Sequence, residues 1–155
     1  EYDIHYVHMP HATPAKKIQK GLENATSDYV VVCADDDFIV KSSLQVCVKY
    51  LEKHPDYACA QGAFFKFSEI EGSVHIHLDN VYSLLYSHED NKPLQRLQKG
   101  MKRYMHTFYA VQRTLDARKI WNAIYDISRY NLFEIAQASA LLLMGKYKML
   151  PIVYG

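Results

Sequence analysis

The stretch VVVCADDDFIV, residues 30–40, ends an apolar, β-branched run in three consecutive aspartates. Adjacent carboxylates repel by roughly 1 kcal/mol per close pair in water, and by more where solvent is excluded. A bound divalent cation offsets that repulsion; a solvated acidic turn avoids the need for one. The preceding residues, DYVVVCA (28–34), lack the alternation of a half-exposed strand and match a parallel strand buried on both faces. In an open parallel sheet, ligands bind beyond the carboxyl ends of strands, which is where Asp35, Asp36 and Asp37 are expected. Their hard oxygens suit Mg²⁺ or Mn²⁺, shared with the phosphates of a substrate.

Working outward, IHYVH (4–8) reads as a short strand, and Thr13 as the cap of a helix with Pro14 at its first position. Ile18, Leu22 and Ala25 share one face of that helix. Beyond the aspartates, Ser42 and Gln45 have capping-box spacing. The helix they open carries Leu44, Cys47, Val48 and Leu51 on one stripe and ends before Pro55. YACAQGAFFKF (57–67) reads as a strand, SEIEGS (68–73) as a turn and VHIHL (74–78) as a short strand. Residues 80–93 are ambiguous, with a loop at SHEDNKP (87–93). A helix is expected over 93–105, a strand over TFYAVQR (107–113) and a helix over 115–127 around Trp121. Asn131 opens a last long helix closed by Gly145, and YKMLPIVYG (147–155) is a terminal strand. Strand–helix alternation makes the chain α/β.

With 155 residues and 49% hydrophobic content, the chain can build one domain with its own core, so 1–155 is taken as a single domain. A formal charge of +1 implies no polyanionic partner, and no basic stripe beyond KGMKRY (99–104) points to nucleic acid. Thirteen tyrosines suit a sugar or nucleotide pocket, and equally suit ordinary half-buried positions. Cys33, Cys47 and Cys59 form no C-x-x-C pattern, so neither a disulfide framework nor a zinc site is expected. A reducing compartment follows: the cytoplasm, or the cytoplasmic face of a membrane. The longest apolar run, ASALLLMG (138–145), is too short to span a bilayer. The chain starts and stops within strand-like segments and reads as an internal piece of a longer protein.

At this point GLENATSDYVVVCADDDFIV (21–40) resembles the central signature of family 2 glycosyltransferases with the GT-A fold. There a Gly-x-x-x-Ala helix end leads into a hydrophobic strand and an Asp-x-Asp motif; Gly21, Ala25, Tyr29–Ala34 and Asp35–Asp37 fill those places. The resemblance implies a GT-A-like (Rossmann-like), mixed, mainly parallel sheet flanked by helices. The family's first nucleotide-binding strands would lie upstream of Glu1, making this a partial catalytic domain. It also implies a nucleotide-diphosphate sugar donor, a carbohydrate or other hydroxyl acceptor, and Mn²⁺ or Mg²⁺ on the donor pyrophosphate. By that analogy Asp37 ligates the metal, and Asp35 binds it through water or contacts the donor ribose, with Asp36 beside them on the donor. Where the family has an Arg-Asn pair, this chain has Ile18-Gln19; Lys17, with Lys16, stands nearby to serve the donor phosphates or simply to face solvent. The segment LFEIAQASALLLMGKYKMLPIVYG (132–155) resembles the family's helix that follows the catalytic base, and Glu134 takes the place of that general base.

Each residue has a plainer reading. Asn131-x-x-Glu134 is close to a capping box. His75 and His77 share one side of a strand but lack a third ligand, so a surface pair is the simpler account. Tyr109 and Arg113 fit an acceptor or phosphate contact, or a packed strand with a flanking charge, and Trp121 belongs to the core. Two rival functions remain open: a non-catalytic sugar- or nucleotide-binding domain of the same fold, and a haloacid-dehalogenase-like phosphohydrolase, which would need a downstream acidic pair.

Overall fold

The computed structural model of the chain describes residues 4–77, 86–102 and 106–155. Helix α1 (Pro14–Asn24) begins as its sequence dictates, with Thr13 Oγ1 accepting from Lys16 N and Pro14 in the first turn. It leads to β1 (Tyr29–Val30), α2 (Lys41–Lys53), β2 (Tyr57–Ala63) and a hairpin of β3 (Lys66–Ile70) and β4 (Ser73–His77). Then follow α3 (Pro93–Lys102), a 3-10 turn at Thr107–Tyr109, β5 (Val111–Arg113), α4 (Thr114–Ile124), α5 (Tyr130–Met144) and β6 (Lys146–Val153).

Four strands form one sheet in the order β1-β5-β2-β6. β2 and β6 are parallel, and β5 is antiparallel to both β1 and β2. Three strands therefore run one way, with β5 threaded against them, giving the mixed sheet flanked by helices that the sequence led us to expect. Both faces are covered. Ala15, Leu22, Trp121, Phe133 and Leu141 from α1, α4 and α5 pack on one side. Cys47 and Leu51 of α2 pack on the other, with Tyr57, Val111 and Tyr154. This explains why every residue of β2 is buried. The predicted α2 stripe is present: Cys47 and Leu51 are fully buried, and Leu44 and Val48 pack against them.

Several expectations change for physical reasons. Residues 4–8 pair with no strand among the described residues, and Ile4 and Tyr6 are more than 80% exposed. The run 28–34 is a strand only at Tyr29–Val30, because its neighbour β5 is three residues long and gives way to the 3-10 turn. It is half-buried and pairs antiparallel with β5, so it is not the parallel strand covered on both faces that its composition suggested. Ser42 lies inside α2, whose N-cap is Val40, so no capping box forms; the neighbouring Ser43 instead donates to Val153 O at 2.6 Å. The strand foreseen over 57–67 breaks at Phe64-Phe65, where the chain leaves the sheet for the hairpin. The hairpin turn is confined to Glu71 (φ 52°) and Gly72 (φ 76°), the doubly left-handed pair that suits the strand twist. Helix α4 ends at Ile124, short of the expected limit, and α3 is described over Pro93–Lys102. Part of the ambiguous 80–93 segment, and 103–105, lie outside the described residues.

Gly145 closes α5, yet at φ −165° it is extended and not left-handed. Its requirement is space: a Cβ there would stand 2.7 Å from Ala58 N. Arg96 of α3, 4% exposed, secures the same end of α5. Its Nε donates to Leu142 O at 2.8 Å, Nη2 to Leu143 O at 3.3 Å and Nη1 to Asp90 O at 2.7 Å. These carbonyls are orphans of a helix end and of a loop. Arg96→Ala strands them, and the expected loss is on the order of 3 kcal/mol. Thermal melting should fall by roughly 6–12 °C for a domain of this size.

Cys47 and Cys59 are buried and Cys33 is exposed, all as free thiols. Burial pushes the Cys47 thiol up to about 12, and that of Cys59 upward as well.

Candidate functional site

The connection from β1 to α2 carries Asp35, Asp36 and Asp37, all exposed to solvent. Their mutual repulsion is therefore screened, on the order of 1 kcal/mol per pair, and does not by itself demand a cation. What distinguishes the loop is how it is held. Asp37 N–H donates to Ala34 O at 3.4 Å, Cys33 Sγ to Asp37 O at 3.6 Å, and the Tyr109 hydroxyl to Asp37 Oδ2. Val40 N–H donates to Tyr154 O at 2.7 Å, tying the loop to the end of β6. Partial burial pushes the Cys33 thiol above its ordinary value, and the charges of Asp37 and Asp36 add to that effect.

Chain direction places the other candidates. Tyr109 stands just before β5, so β5 starts at the aspartate end of the sheet and α4 returns to it. Lys16 Nζ lies 3.7 Å from Asp126 just beyond α4, which brings the N-terminal turn of α1, with exposed Lys17, to that end as well. α5 begins there too. Phe133 packs on Phe108 at a centroid distance of 6.2 Å, and Thr107 Oγ1 donates to Gln137 Oε1 at 3.2 Å. Glu134, half-buried, lies between those two anchors in sequence. The capping alternative fails: α5 starts at Tyr130 with Arg129 as its N-cap, so Asn131 is already inside the helix.

The aspartate end of the sheet thus gathers the acidic loop, the first turn of α1 and the first half of α5. Beside it, Phe38 and Phe67 approach to 6.0 Å between ring centroids, both largely exposed. Arg113 does not belong to the site. Its guanidinium donates to Tyr57 O at 2.5 Å and Leu51 O at 2.7 Å, at the opposite end of the sheet. A concavity of about 750 Å³ does open at that opposite end, but its arginines, Arg113 and Arg118, are committed to main-chain carbonyls. His75 and His77 lie on the exposed β4, where His77 Nε2 meets Ser68 Oγ at 2.9 Å. Trp121 is a core residue.

Among the described residues no group of three or more His, Cys, Asp or Glu side chains forms a complete metal cage. The donor set fits a different kind of site. Mg²⁺ and Mn²⁺ are commonly held by one or two carboxylates, with substrate phosphates and water completing the shell. Asp37 Oδ1 receives no hydrogen bond from the described residues, and Asp35 is exposed two positions away.

Two positions escaped the sequence reading. For Tyr109 the sequence offers an acceptor or phosphate contact or a packed strand, neither of them a contact with Asp37, and it offers nothing for Tyr154. Tyr109 is 72 residues from Asp37, so no local pattern links them.

No helix of the described residues is long and apolar enough to cross a membrane. No curated protein and no solved structure matches the chain significantly. The family model for glycosyl transferase family 2 matches residues 1–122, which takes in α1, the acidic loop and most of α4 but stops short of Glu134. With its mixed sheet and an acidic loop beyond the first strand, the chain belongs to glycosyl transferase family 2.

Proposed function

We propose that the chain transfers a sugar from a nucleotide-diphosphate donor to an acceptor hydroxyl, with inversion at the anomeric carbon and dependence on Mn²⁺ or Mg²⁺. The observation that supports this reading is the restraint of Asp37 beyond β1, at the end of the sheet where α5, the helix that carries Glu134, begins. Asp37 would ligate the metal, and Asp35 would bind it through water or contact the donor ribose. Asp36 and Lys17 would border the donor, the lysine as a point charge for phosphate oxygens. When bound, the ion supplies a Lewis acid for the departing diphosphate.

The acceptor oxygen attacks the anomeric carbon from the face opposite the leaving group. As that bond forms, the bond from the anomeric carbon to the diphosphate oxygen breaks. Glu134 accepts the acceptor's proton, a step typically worth ~10²–10⁴ in rate. Phe38 and Phe67 offer an apolar wall beside the aspartates.

The test is incubation of the chain with UDP- and GDP-sugars and a panel of hydroxyl acceptors, with Mn²⁺ or with chelator. NMR follows release of nucleoside diphosphate and the anomeric configuration of the product. Metal-dependent release with inverted product is expected. Retained configuration would overturn the assignment of Glu134, and binding without release would favour a non-catalytic domain.

A further inference from the structure

We infer that Tyr109 is a positioning residue that fixes the metal-binding geometry of Asp37, and that Tyr154 in turn fixes Tyr109. This rests on the proposed role of Asp37 as a metal ligand. The three aspartates are adjacent in sequence and alike in exposure, yet they are not held alike. Asp37 is restrained at its amide, its carbonyl and its carboxylate; among the described residues nothing donates to the carboxylates of Asp35 or Asp36. The restraint on the carboxylate comes from a distant element, the 3-10 turn before β5.

Tyr109 is itself locked in place. Its ring lies 5.4 Å from Phe64 and 5.3 Å from Phe108, and its carbonyl accepts from Tyr154 Oη at 2.7 Å. Tyr154, fully buried, has its ring 5.2 Å from Phe64 and its carbonyl bonded to Val40 N at 2.7 Å. One tyrosine therefore braces both the far side of the acidic loop and the residue that grips Asp37. A donor on Oδ2 removes one of the two oxygens from competition and fixes the carboxylate plane. Oδ1 is then the oxygen left for an ion. Partners of this kind, which orient a ligand without touching the metal, are typically worth roughly 10- to 100-fold in metal affinity.

The experiment measures Mn²⁺ binding with saturating UDP or GDP, from the electron paramagnetic resonance signal of free Mn²⁺, alongside thermal melting. Tyr109→Phe keeps the ring and loses only the hydroxyl; Asp37→Asn serves as the reference variant. The expected result is a roughly tenfold or greater rise in the Mn²⁺ dissociation constant for Tyr109→Phe, with the melting temperature unchanged. Should that variant melt early, Tyr154→Phe supplies the second arm: it retains the Tyr109 hydroxyl but unhooks its backbone, and a smaller rise is expected. Wild-type Mn²⁺ affinity in the tyrosine variants, with binding lost in Asp37→Asn, would overturn the positioning role alone. Unaltered binding in Asp37→Asn, or no binding by the wild-type chain, would overturn the metal role of Asp37 and the inference with it.

Discussion

Asp37→Asn is expected to lower kcat/KM for transfer by about a thousandfold or more, without lowering the melting temperature. The amide keeps the size of the side chain and an oxygen that can accept from Tyr109, so the loop retains its bracing. What it loses is the negative charge that would hold the cation. A divalent ion on the departing diphosphate contributes several kcal/mol of charge stabilisation, and every 1.4 kcal/mol is about a factor of ten. Because Asp37 is exposed, removing its charge leaves no buried group without a partner. Asp35→Asn should have a smaller effect if Asp35 acts through water or the ribose. Steady-state kinetics at several Mn²⁺ concentrations, paired with melting curves, check both variants. A loss that vanishes at high Mn²⁺ would mark weakened binding of the ion; a loss that persists would mark chemistry as well.

The second large effect belongs to Glu134→Gln. As the proposed general base, Glu134 acts only when the acceptor hydroxyl is losing its proton. The expected result is a fall in kcat of ~10²–10⁴, with donor and metal binding unchanged. The split separates its role from that of Asp37, whose loss affects binding of the metal-bound donor. Asn131→Ala should be close to neutral in stability, because no N-cap at Asn131 exists to be lost. The same kinetics, run with saturating donor, check the pair: an equal loss from Glu134→Gln in kcat and in nucleotide affinity would place Glu134 in the donor pocket.

How much of this was legible in the sequence depends on the range of the interaction. α1 was readable because its signals are local: a threonine cap, a proline in the first turn and an apolar face. The stripe of α2 was readable for the same reason. β1 was overstated, since a run such as YVVVCA reports hydrophobicity and not the length of the strand beside it. Its ladder is limited by β5, more than eighty residues later in the chain. The capping boxes at Ser42 and Asn131 failed because each helix starts before the supposed cap. Gly145 was placed correctly but for a different cause, the close approach of Ala58 and not a left-handed turn.

The candidate site divides along the same line. The acidic triplet and its position beyond a strand were visible locally. Glu134 was proposed through resemblance, and packing of Phe133 and Gln137 explains how its helix reaches the same end of the sheet. Tyr109 and Tyr154 carry no local signal for their roles, because both act through contacts that exist only once the sheet has formed. For Arg113 the plainer of the two readings fits: its guanidinium donates to the carbonyls of Leu51 in the last turn of α2 and of Tyr57, and not to a ligand at the aspartate end.

The central claim is that the acidic loop binds a nucleoside diphosphate through a divalent cation held by Asp37. Calorimetric titration of UDP, then GDP, into the chain with and without Mn²⁺ tests it most directly, with Asp37→Asn measured in parallel. The account predicts nucleotide binding that requires Mn²⁺ and is lost in the variant. Binding of equal strength without the metal, or in the variant, would contradict it.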